Sequence, residues 1–84
     1  MTIIAEIKNF TLAHTIYIIE NNNIIKTAKC SIKNMPEVLS QLAYDYNADK
    51  IIVKGPLKFA RPMHEQIRDT FTAKYAKECT FTIE

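Results

Sequence analysis

Apolar and polar positions alternate along much of the chain, and the change from a period of two to a period near four marks out its elements. Thr2 to Phe10 places Ile3, Ala5 and Ile7 on one side and Ile4, Glu6 and Lys8 on the other, which predicts a first strand. After a short turn at Thr11-Leu12-Ala13, His14 to Glu20 is rich in β-branched and aromatic residues and predicts a second strand. Asn21-Asn22-Asn23 predicts a tight turn, because asparagine tolerates positive φ, and Ile24 to Ser31 returns as a third strand. A helix is predicted from Asn34-Met35-Pro36-Glu37 to about Asn47. Asn34 stands at the cap, Pro36 lies where its missing donor costs nothing, and Glu37 stands at the capping-box position. Its stripe reads Val38, Leu39, Leu42 and Tyr46.

Lys50 to Lys54 encloses the unbroken run Ile51-Ile52-Val53, the pattern of a central strand covered on both faces. Lys54-Gly55-Pro56 ends it, and Leu57 to Arg61 reads as a loop. Pro62 opens a second predicted helix extending to about Lys77, with Met63, Ile67, Phe71 and Tyr75 spaced by four along its buried stripe. Arg61, Glu65, Arg68 and Thr72 form a solvated row beside it. Cys79, Phe81 and Ile83 alternate with Thr80, Thr82 and Glu84, which predicts a last strand at a sheet edge.

The resulting order, βββαβαβ, is that of a single α/β domain in which three antiparallel strands are extended by two parallel ones through right-handed crossovers. It resembles the ribonuclease H-like fold. Thr15 to Asn21 with its returning strand, Val53-Lys54-Gly55-Pro56, and Arg61 are also similar in pattern to ribosomal small-subunit protein family eleven. That resemblance implies RNA contact through the loop holding Lys54, Gly55, Pro56 and Arg61. Where that family usually continues with a second Gly-Pro repeat, this chain has Leu57-Lys58-Phe59.

Composition changes this picture only a little. Eighty-four residues make one small domain, and a net charge of +2 permits phosphate contact without demanding it. Cys30 and Cys79 have no metal-ligand spacing and read as small core residues, with a reducing compartment as the default. No apolar run approaches the roughly 20 residues needed to cross a bilayer and no leader pattern is visible, so a cytoplasmic protein is expected. The bias towards Ile, Lys and Asn suits an AT-rich bacterial or phage genome.

Catalysis is not expected. A ribonuclease H-like nuclease places a metal carboxylate at the end of its fourth strand, and Lys54 stands there instead. Glu6, Glu37, Asp45 and Asp49 read as solvated surface, His14 as a turn-side or half-buried residue, and His64 as solvated. No glycine-framed nucleophile or phosphate-cradling loop occurs, and no cofactor is implied. The candidate site is therefore a basic one for nucleic acid, RNA before DNA, made of Lys54, Gly55, Lys58, Phe59, Arg61 and Arg68. Phe59 either stacks on an unpaired base or folds inward while the cations keep the loop solvated. The alternative partner is protein: another molecule, or a second copy of the chain, adding a strand at Ile24 to Ile32 or at Cys79 to Glu84.

Overall fold

Residues 1–8 and 13–84 are described by a computed structural model of the chain. Strands β1 (Thr2–Glu6), β2 (His14–Glu20), β3 (Asn23–Cys30), β4 (Lys50–Lys54) and β5 (Thr80–Ile83) form one sheet in the order β3-β2-β1-β4-β5. Helices α1 (Met35–Asp45) and α2 (Leu57–Lys74) follow β3 and β4. The β1–β2 and β2–β3 pairs are antiparallel, and β1–β4 and β4–β5 are parallel. The α/β order and layout expected from the pattern are thus those observed.

Each strand's alternation decides which face it gives to the core. Ile3, Ala5, Ile16, Ile18, Ile51 and Val53 join Leu39, Ala43, Met63, Ile67 and Phe71 of the helices in one buried cluster. Ile4, Tyr17, Ile52 and Thr82 share a row on the opposite face, matched residue by residue across four strands. β4 is an interior strand between β1 and β5, and its Ile51, Ile52 and Val53 are all buried, although the helices pack on the Ile51 and Val53 side.

Turns follow from backbone chemistry. Asn21 and Asn22 both take positive φ, 52° and 64°, as a two-residue hairpin turn with the right-handed twist of its strands requires. Helix α1 ends on Asn47 at φ 54°, where Ala48 N–H reaches the Ala43 carbonyl (2.8 Å) and Asn47 N–H the Tyr44 carbonyl (3.2 Å). This pair of bonds closes a helix on a left-handed residue.

Several expectations are corrected. β1 ends at Glu6 rather than running to Phe10. The predicted turn at Thr11-Leu12-Ala13 and the strand end at Asn9 and Phe10 fall, except for Ala13, outside the described residues. Asn34 sits at the cap of α1 without a side-chain cap bond, and Glu37 is paired with Lys74 instead of closing a capping box. The face of α1 fully buried is Met35, Leu39, Ser40 and Ala43, with Val38, Leu42 and Tyr46 half-buried at its fringe. Small Ser40 and Ala43 let the helix approach its neighbours closely, so the buried stripe turns towards them.

The largest correction is at α2, which starts at Leu57 and not at Pro62. Pro56, at φ −58°, occupies the cap position where a missing N–H costs nothing, and Leu57-Lys58-Phe59-Ala60 are competent helix residues. Pro62 therefore lies inside the helix and withholds the N–H that the Lys58 carbonyl would otherwise accept. Burial of Ala60 and Met63 on either side offsets that loss. The Met63, Ile67 and Phe71 stripe is as expected, and Tyr75 follows the helix end at Lys74, tilted against Phe71 and stacked on Tyr44 with ring centroids 4.3 Å apart.

His64 is not a solvated residue. Its Nε2 donates to the Phe81 carbonyl at 2.9 Å. Thr80 N–H and Glu84 N–H reach back to the Asp49 and Val53 carbonyls of the β4 side, so Phe81, one residue on, turns its carbonyl outward, where His64 meets it. The β5 edge, expected to be unprotected, is closed by α2 at that point. His64→Ala is expected to lower unfolding free energy by about 1 kcal/mol, the net worth of one such bond. Urea denaturation measures it, and an unchanged midpoint would mean that water replaces the imidazole without loss.

Candidate nucleic-acid interface

Strand direction decides which side chains gather. β1 and β4 finish at one end of the sheet, where β2 begins and β3 ends, as the pairings Glu6 with Lys54, Glu6 with Thr15 and Thr15 with Lys29 require. That end therefore carries Lys29 and Lys54 on strands. Lys8 and Lys33 stand just beyond β1 and β3, and Lys58 and Arg61 in the first turns of α2. These are six of the eleven cations of the chain. The carboxylates at the same end are Glu6, bonded to Lys8 at 3.4 Å, Glu84, and Glu37, which Lys74 neutralises. The bond to Glu37 holds the Lys74 ammonium above its ordinary pKa.

The residues singled out from sequence divide between that end and other places. Lys54 is half-buried at the end of β4, on the face away from the helices. Lys58 and Arg61 are exposed and three apart, so they lie on one side of α2. Lys58 Nζ sits 5.1 Å from the centroid of the Phe59 ring, and Phe59 is 38% exposed, with Leu57 beside it at 59%. Phe59 is thus presented at the surface and is not a lid on the core. Arg68 continues the same row two helical turns on, about 10 Å along the axis from Arg61. It lies 3.6 Å from Asp69, and so outside the cluster.

Gly55 has a structural task. Its φ is +148°, and a Cβ there would lie 2.7 Å from the Ile7 carbonyl oxygen and 3.0 Å from the Ile7 Cβ. The close approach lets Ile7 N–H bond the Lys54 carbonyl at 2.8 Å, joining the ends of β1 and β4. His14 supports the same end from inside: it is buried, and its Nδ1 accepts the Lys8 backbone N–H at 3.1 Å. These two contacts hold the backbone beneath Lys8 and Lys54, and His14's part in it was not legible from its place in the sequence.

The residues weighed for catalysis are engaged elsewhere. Asp45 accepts a bond from Gln41, Asp49 one from the amino group of Met1, and Glu6 stands in register with Lys54. Cys30 and Cys79 are half-buried beside the core, and burial raises both thiol pKa values. Among the described residues no helix is long and apolar enough to cross a membrane. Comparison with known proteins gives no matching family model, no matching curated protein and no matching solved structure.

Proposed function

We propose that this domain acts by binding rather than catalysis, and that its ligand is nucleic acid, RNA in particular, held at the basic end of the sheet. The observation that carries the reading is the gathering of Lys8, Lys29, Lys33, Lys54, Lys58 and Arg61 at the end where β1 and β4 finish. A chain of net charge +2 is thereby polarised, with Glu20, Asp45, Asp49 and Glu78 at the opposite end of the sheet. Such a surface neutralises backbone phosphates and releases their counterions. Phe59, exposed among the cations, adds a ring on which an unpaired base can stack, which favours single strands over duplex. The pattern resemblance to a ribosomal protein family points the same way.

Fluorescence anisotropy of labelled single-stranded RNA, duplex RNA and DNA, titrated with protein at several salt concentrations, tests this. Single-stranded RNA should bind most tightly, and log affinity should fall with log salt at a slope of about −2 to −4, the value for neutralising three to six phosphates. Absence of binding at micromolar protein and low salt would leave the cations as a solvated surface.

A further inference from the structure

One face of the sheet carries no helix. Both helices pack on the side of Ile3, Ala5, Ile51 and Val53, and strand alternation turns the residues between these the other way. On that uncovered face, register sets side chains in rows across the strands. Lys29 and Lys54 stand in the row nearest the basic end, Tyr17 and Thr27 in the next, and Lys50 in the one beyond. Successive rows lie about 7 Å apart along the strands.

Charge says what this face accepts. Lys29, Lys50 and Lys54 form no ion pair among the described residues, and the carboxylates that share the face are Glu6, held by Lys8, and Glu84 beyond β5. The helical side is different. Arg68 and Lys74 are paired there with Asp69 and Glu37, and Asp45 and Glu65 are exposed. A polyanion leaving the basic end is drawn over the open face and repelled over the helices.

Tyr17 supplies what charge alone does not. Its ring is half-buried and makes no aromatic or cation contact among the described residues, and its hydroxyl meets no hydrogen-bond partner among them. The other tyrosines are engaged, Tyr44 and Tyr75 with each other and Tyr46 with Lys26. Ile4 and Ile52 continue the row of Tyr17 as an apolar floor. An unoccupied ring on such a floor, with cations in the rows on either side, suits a base stacked between two phosphates.

We infer that a single strand of RNA held at the basic end continues along the uncovered face of the sheet, where Tyr17 stacks on a base and Lys50 takes a phosphate. This rests on the proposed binding of nucleic acid and gives it a path.

The test is fluorescence anisotropy with a labelled oligouridylate of about eight nucleotides, within the range of single-strand site sizes, titrated at several salt concentrations. Tyr17→Leu should weaken binding by at least roughly fivefold, the worth of one base stacked on an aromatic, while Tyr17→Phe, which keeps the ring, should stay within about twofold of the parent. Thr27→Lys adds a cation beside Tyr17 on the same face. It should tighten binding and steepen the slope of log affinity against log salt by about 0.7, the value for one more phosphate contact. Ala73→Lys adds the same charge at an exposed site near the far end of α2 and should leave that slope unchanged. Should Tyr17→Leu lose the circular dichroism of the parent, the two lysine variants decide alone. Equal slopes in Thr27→Lys and Ala73→Lys overturn the path over the sheet, and so does a folded Tyr17→Leu that binds like the parent. In both cases the basic end remains as the site, provided that Lys58→Glu with Arg61→Glu abolishes binding. A parent protein that binds no RNA overturns the path and the nucleic-acid reading together.

Discussion

Gly55→Ala is expected to destabilise the domain by about 3 kcal/mol or more. Non-glycine residues held in so unfavourable a φ region cost of order 1–3 kcal/mol, and forcing an added methyl into a packed site costs typically about 1–3 more. Here the methyl meets a backbone carbonyl of Ile7 at 2.7 Å, which cannot swing aside without breaking the Ile7 to Lys54 bond. A chain of this length has roughly 4–13 kcal/mol in all, so the loss is a large share of it. Differential scanning calorimetry should show the midpoint falling by more than about 12 °C. The same variant separates two roles for this residue. If it melts like the parent yet no longer binds RNA, Gly55 is a contact surface for backbone phosphate and its cramped geometry is incidental.

The second large effect is on binding. Lys58→Glu with Arg61→Glu should weaken RNA binding by at least roughly a hundredfold at low salt, since two neutralised phosphates become two repulsions. Both side chains are exposed, so the melting temperature should stay within about 4 °C of the parent, a change of under about 1 kcal/mol for such sites. Lys58 also lies over the Phe59 ring, a contact worth about 0.5–1 kcal/mol at an exposed site, and its loss sets the upper limit of the thermal change. Arg68→Glu, two helical turns away and already beside Asp69, is the internal control and should reduce affinity far less. Equal losses at Arg68 and at the double variant would spread the interface along the whole helix. Unchanged affinity in the double variant would move it off α2 altogether.

These expectations depend unequally on sequence and on tertiary structure. Strand alternation, the asparagine turn and the four-residue spacing of Met63, Ile67 and Phe71 are local signals, since each is a response of a few neighbouring residues to burial on one side. They were sufficient for element order, for the interior place of β4 and for the edge position of β5. The start of α2 was not, because Pro62 is a strong local signal for a first turn, and only the gain from packing Ala60 and Met63 against the sheet makes a proline inside the helix tolerable.

The candidate site shows the same division. Lys54, Lys58, Phe59 and Arg61 lie within eight residues of one another, so their nearness was legible in the chain itself. That Lys8, Lys29 and Lys33 join them depends on parallel and antiparallel pairings between segments distant in sequence, whereas Arg68 is set apart by the rise of α2 itself. His14 accepting the Lys8 N–H and His64 closing the β5 edge are likewise contacts across 6 and 17 residues, made by side chains whose local surroundings give no sign of a partner. The sequence by itself determined the elements, their order and the faces they bury, because hydrophobic periodicity acts over a turn or a strand. Only the tertiary structure decided where charge collects and which edge stays open, because those depend on which ends of which strands are brought side by side.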